Sequence, residues 1–154
     1  MRWIGLALPV ALALAALVHA TPASGDPEPR FVALDLRIDA GEAPLAAWQV
    51  EVTYDPATTK VLSLEGGETE GFREAPHHDR RGLEGGRIVI ASYVPADTAA
   101  PAGETRVARL HLQTTGEVGA PRVRLVTAAR PGGAKIEARA TLASSTDDEG
   151  RKQE

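Results

Sequence analysis

PLAAWQVEVTYDPATTKVLSLE, residues 44–65, is the stretch whose reading decides the fold. From Ala46 to Tyr54 apolar and polar side chains alternate. Trp48, Val50, Val52 and Tyr54 fall on one face at period two, and Gln49, Glu51 and Thr53 fall on the other. Such a strand is half buried and antiparallel, with one face on a core and the other in water. Asp55-Pro56 ends it, because proline fixes φ and aspartate readily forms turns. A second apolar run, Val61-Leu62-Ser63-Leu64, follows at once, and a partner strand is expected over residues 60–65. The stretch predicts a β-sandwich with Trp48 and Tyr54 in its core.

Working outward, the first twenty residues are set apart from the folded domain. Arg2 supplies a short positive start, Ile4 to Val18 is almost unbroken in apolar residues, and Val18-His19-Ala20 offers small residues where a signal peptidase cleaves. The run falls short of the roughly 20 residues that span a bilayer comfortably. A cleaved signal peptide over 1–20 is therefore expected, with no stable membrane span afterwards and an exported product in the periplasm, at the cell surface or outside the cell. The remaining length suffices for one domain with its own core. Cysteine is absent, so packing rather than cross-linking must stabilise it. The formal charge of −4 gives no general attraction for nucleic acid, which is excluded as a partner.

Residues 21–30, TPASGDPEPR, read as a flexible lead-in, and the sandwich is expected over 31–142. Its further strands are Phe31 to Ile38, Arg87 to Val94, Thr105 to Thr115, Arg122 to Ala128 and Lys135 to Leu142, punctuated by glycine and proline. About seven short strands with such punctuation argue for two packed antiparallel sheets. No segment after the leader holds a helical period over three turns. Gly66 to Gly86 is the longest irregular stretch, and loops of that length are often functional. Residues 143–154 are polar and charged, and a disordered tail is expected there.

Three segments resemble cohesin modules, a group of carbohydrate-binding-like β-sandwiches. They are Trp48 to Pro56 running on to Val61 to Gly66, then Gly86 to Tyr93, then a loop ending at Gly103 followed by Val107 to Leu112. Their order and spacing resemble the family over residues 31–142. The resemblance implies an all-β, antiparallel sandwich of jelly-roll type, nine-stranded and non-catalytic, that recognises a secreted or surface protein, in the family's case the calcium-binding dockerin module. No dockerin-contacting position is carried over, because none can be matched residue by residue.

Candidate binding residues fall into three groups. His77, His78 and Asp79 carry ligand-competent side chains, and Asp79 with Glu74 or Glu84 offers oxygen donors for a harder cation. Neighbouring histidines in extended chain point to opposite sides, so no metal is assigned and no cofactor is expected. Phe72 and Tyr93, beside the long loop, are the aromatics left for stacking on a polysaccharide, the alternative ligand. Arg109 with His111, and Arg122 with Arg124, share strand faces, while Lys135 and Arg139 flank Glu137. If those strands are neighbours, they form a basic outer face able to meet an acidic glycan or protein. Alternation alone also produces charged, solvated faces that deter edge pairing. No Gly-x-Ser-x-Gly elbow, phosphate loop, dinucleotide fingerprint or His-Glu-x-x-His occurs, and the chain is read as not an enzyme. A metal-dependent hydrolase at His77, His78 and Asp79 is the least supported reading.

Overall fold

The alternating segments become strands in two layers in a computed structural model, which describes residues 27–116 and 119–145. Among the described residues there are eight: β1 Arg30–Asp39, β2 Ala47–Thr53, β3 Thr59–Gly66, β4 His77–His78, β5 Arg87–Tyr93, β6 Glu104–Thr114, β7 Arg122–Ala129 and β8 Arg139–Ser144. They form two four-stranded sheets, ordered β3-β6-β1-β8 and β4-β5-β2-β7, with every pair antiparallel. The all-β sandwich is as expected, with eight strands where the resemblance implied nine. The leader, most of the lead-in and residues 146–154 lie outside the described residues. No helix of the described residues is long and apolar enough to cross a membrane.

Three features depart from the sequence reading. The run at 60–65 was expected as the partner of the 46–54 strand, yet β3 pairs with β6 in the other sheet. Asp55-Pro56 is thus an arch between layers. The Asp55 carboxylate accepts the Ala57 amide at 2.9 Å and its carbonyl accepts that of Thr59 at 2.9 Å, turning the chain sharply into the second layer. Secondly, the strand read over 135–142 begins only at Arg139. Lys135 makes a single bridge to Ala129, and β8 runs on through Ala143 and Ser144, where a disordered tail was expected. Thirdly, bulges shift the register at Leu36/Arg37, Val61/Ser63 and Gln49/Val50. Through the first of these, Val107 is buried, although alternation would have put it outside with Arg109.

Between the layers Trp48, Val50 and Val52 of β2 meet Leu36 and Ile38 of β1, Ile88 and Ile90 of β5, and Leu110 of β6, all buried. Phe72 closes one end of this core. It stands on a 3-10 turn, Glu70–Phe72, within the long loop, and its ring meets that of Trp48 edge to face with centroids 6.2 Å apart. The loop also carries β4 and a second 3-10 turn, Arg80–Leu83. Tyr54 ties that turn down by donating its buried hydroxyl to the Gly82 carbonyl at 2.6 Å. Burial raises the Tyr54 pKa above its ordinary value. Gly82 must lack a side chain, since a Cβ there would stand 2.7 Å from the Arg87 carbonyl oxygen.

Phe72→Ala is expected to lower unfolding free energy by about 3–5 kcal/mol, the usual result of emptying an aromatic site in a packed core. Tyr54→Phe leaves the Gly82 carbonyl without its donor and is expected to remove about 1–2 kcal/mol. Urea titrations followed by Trp48 fluorescence measure both.

A candidate binding face on the second sheet

Because side chains alternate across a pleated sheet, inward placement of Trp48, Val50 and Val52 sends Gln49, Glu51 and Thr53 to the outer face of β2. Register then builds that face in rows. Tyr93, Ala47 and Ala129 form the first. His77, Ala91, Gln49 and Thr127 form the second, across all four strands. Val89, Glu51 and Arg124 form the third, and Arg87, Thr53 and Arg122 the fourth. The upper two rows hold three alanines with Tyr93, His77, Gln49 and Thr127 and no carboxylate or guanidinium, whereas the lower two hold Glu51, Arg87, Arg122 and Arg124.

In the upper half Tyr93 is 63% exposed, and its ring stacks nearly parallel on that of His77, with centroids 6.2 Å apart. The alanines beside them leave a shallow depression of about 240 Å³ lined by Ala47, Gln49, His77, Ala91, Tyr93 and Thr127. A larger groove of about 520 Å³ adjoins it across Tyr93, between the 95–100 segment and Arg130-Pro131-Gly132-Gly133. At the bulge in β7, Val126 adds an exposed apolar side chain.

In the lower half one carboxylate serves two guanidiniums. Glu51 accepts Arg87 Nε at 2.7 Å, is also paired with the Arg87 terminal nitrogen, and lies 3.4 Å from Arg124. The hydrogen bond from Arg87 does most to hold the Glu51 carboxyl below its ordinary pKa, with Arg124 adding to it. Arg122 is exposed and has no partner among the described residues. This half of the face is therefore cationic.

The expected site residues separate between surfaces. His77, Tyr93, Arg122 and Arg124 come together on the outer face of β4-β5-β2-β7. Arg109 and His111 stand on the opposite surface, because β6 and β7 belong to different sheets, and the single basic face expected from them does not form. Arg109 is engaged there with buried Asp35, Nε to carboxylate at 2.6 Å and a terminal nitrogen at 3.2 Å, while Arg37 approaches the same carboxylate at 3.8 Å. His111 Nε2 lies 2.9 Å from Glu65, and this contact leads the lowering of the Glu65 pKa. Phe72 is core, at 1% exposure, and is not available to stack on a sugar. His78 turns away from His77, its Nδ1 3.3 Å from the Pro76 carbonyl. Asp79 caps the second 3-10 turn by accepting the Arg81 amide at 3.0 Å. Among the described residues no three His, Asp or Glu side chains are grouped to hold a metal ion.

Sequence reading missed Arg87, Glu51, Gln49 and Thr127 as members of one surface. The outward set of β2 was legible, but the order of strands around it was not.

The sandwich is cohesin-like. CaCohA2 from Clostridium acetobutylicum superposes with a TM-score of 0.58 at 17% identity, covering 78% of this chain and 83% of that one. The third ScaC cohesin of Acetivibrio cellulolyticus, in complex with the ScaB dockerin, gives 0.55 at 14% identity, covering 70% and 81%. A type I cohesin–dockerin complex from Clostridium thermocellum gives 0.54 at 10% identity, covering 70% and 82%. No protein-family model and no curated protein matches the sequence.

Two measurements check the assignment of charges. Carbon-detected titration of Glu51 is expected to show a midpoint below the ordinary 4.5, moving upward in Arg87→Ala while Glu65 is unchanged. A depressed carboxylate stabilises the fold above its unfolded-state pKa. That contribution disappears as pH falls through the folded-state value, so the effect lies in the acid range. Arg109→Ala leaves the buried Asp35 carboxylate only the 3.8 Å contact with Arg37 and is expected to cost about 3 kcal/mol of stability in urea unfolding.

Proposed function

We propose that this chain is an exported, non-catalytic binding module that docks a protein partner on the outer face of β4-β5-β2-β7. The observation that carries the reading is the division of that face into an apolar half built on Tyr93 and His77 and a cationic half built on Arg87, Arg122 and Arg124. Interfaces draw much of their binding energy from a few aromatic and arginine side chains, with tyrosine and arginine enriched among them. Small neighbours such as Ala47, Ala91 and Ala129 let a partner approach the sheet closely. The solved cohesin complexes, whose partners are dockerins, support a small secreted module of that kind as the partner. The signal-like leader supports export.

Size bears on how the partner docks. Three interstrand spacings of about 4.8 Å and seven residues at about 3.3 Å give a face on the order of 14 by 23 Å. A stable interface uses about 800 Å² per partner, more than twice that projected area. A partner must therefore reach beyond the flat sheet, and the groove flanked by Pro95 and Pro131 is where it would extend. The polysaccharide reading retains Tyr93 but loses Phe72, so no platform of two rings supports it.

The absence of native cysteine allows a direct test. Full-length protein carrying a photo-crosslinker at Thr127→Cys, on the proposed face, is compared with one at Ser63→Cys, on the opposite surface, in the native envelope or secreted fraction. A protein captured from Thr127 and not from Ser63, and lost in Tyr93→Ala, is the expected result. Equal capture from both positions, or capture insensitive to Tyr93→Ala, overturns the assignment of the face.

A further inference from the structure

The two outer surfaces of the sandwich handle charge differently, and the difference identifies the partner's chemistry. On the β3-β6-β1-β8 surface carboxylates are interspersed with the cations: Arg109 and Arg37 face Asp35, Arg37 also faces Glu104 at 3.7 Å, and Glu65 takes His111. Arg106 and Arg30 donate to the Gly66 and Gly116 carbonyls, and exposed Arg139 stands opposite Asp39 in the register. On the other surface, among the described residues, Glu51 pairs with Arg87 and Arg124, and Arg122 has no carboxylate partner. The side chains of Arg87 and Arg124 are 62% and 64% exposed, and each guanidinium has five donors, most of which Glu51 cannot use. This cationic strip belongs to a chain whose formal charge is −4.

Resting on the docking face proposed above, we infer that the partner is a protein presenting an acidic segment with one apolar anchor. Its carboxylates pair with Arg122, Arg124 and Arg87, and its anchor enters the groove beside Tyr93. Charge complementarity selects this occupant. An acidic segment is attracted to the strip and repelled by the rest of an acidic domain, which orients the encounter. Arginine suits the role because its planar fork binds a carboxylate through two parallel hydrogen bonds. The register also sets a spacing. The Arg124 row lies four residues from the Tyr93 row along the strands and the Arg122 row six, which is about 13 and 20 Å at about 3.3 Å per residue. The anchor and the acidic residues of the partner are separated by that distance.

A displayed library of random peptides, selected against the immobilised full chain at moderate salt, tests this. Enriched peptides are expected to carry clustered Asp and Glu flanking an apolar residue. They are expected to bind Arg122→Glu/Arg124→Glu about tenfold or more weakly, since like charges then face one another, and also to lose affinity for Tyr93→Ala. Arg122→Glu alone should weaken them in the same direction; it removes no internal ion pair and guards against misfolding of the double variant. Enriched peptides that are neutral or basic, yet sensitive to Tyr93→Ala, overturn the acidic partner and leave the docking face standing. Peptides insensitive to every one of these variants, or no enrichment at all, overturn both. Retention on heparin that is lost in the arginine variants, with no acidic peptide enriched, assigns the strip to anionic glycans and overturns the protein partner.

Discussion

The geometric coupling between the two faces of a pleated strand governs this molecule. Each inward side chain of β2 forces its neighbour outward, and hydrogen-bond register carries that choice to β5 on one side and β7 on the other. Trp48 is the strongest single determinant, because the core must cover its large ring, and Phe72 arrives from the loop to do so. A slip of one residue in β2 would expose Trp48, Val50 and Val52 and bury Glu51, so the rows on the outer surface inherit the specificity of the core. The side chains of that surface are positioned by strands on three sides, with only the two-residue β4 holding His77 at the fourth.

The same coupling explains why charge on one surface is consumed and on the other left over. Asp35 occupies an outward position of β1, yet it is 1% exposed beneath Arg109 and Arg37. A carboxylate removed from water to that degree requires close cationic partners. Arg109 is therefore committed to structure. Glu51 is shielded less and serves Arg87 and Arg124 at once, and the exposed ends of those two arginines, with Arg122, keep unused donors facing solvent. Arginines that look alike in sequence thus divide into one structural group and one group available to a ligand.

Alternation and turn residues made most strands legible, because burial on one face imposes a period of two that the side chains must follow. Trp48 and Tyr54 were assignable to the core on that ground alone. Sheet membership was not legible: nothing in Val61 to Leu64 distinguishes a hairpin partner of β2 from a strand that crosses to the other layer. Phe72 was misread because alternation has no meaning in a 3-10 turn, where burial depends on which cavity the turn overlies. Val107 was misread because a bulge adds one residue and resets the pattern. For the candidate face, His77, Tyr93, Arg122 and Arg124 were each noticed, but only the order β4-β5-β2-β7 brings them together and separates them from Arg109 and His111.

The arch at Asp55-Pro56 has a consequence for how the domain is made. The chain visits the layers in turn, β1 in one, β2 in the other, β3 back in the first, with later crossings after β3, β5, β6 and β7. Neither sheet is a continuous length of chain, so neither can form before the segments that interrupt it are in place. Loop closure over long separations must precede most stabilising contacts, which puts such topologies on the millisecond-to-second scale of folding. Single domains of this size usually assemble in one cooperative step, and the connectivity between layers sets how long the newly made chain stays open before it.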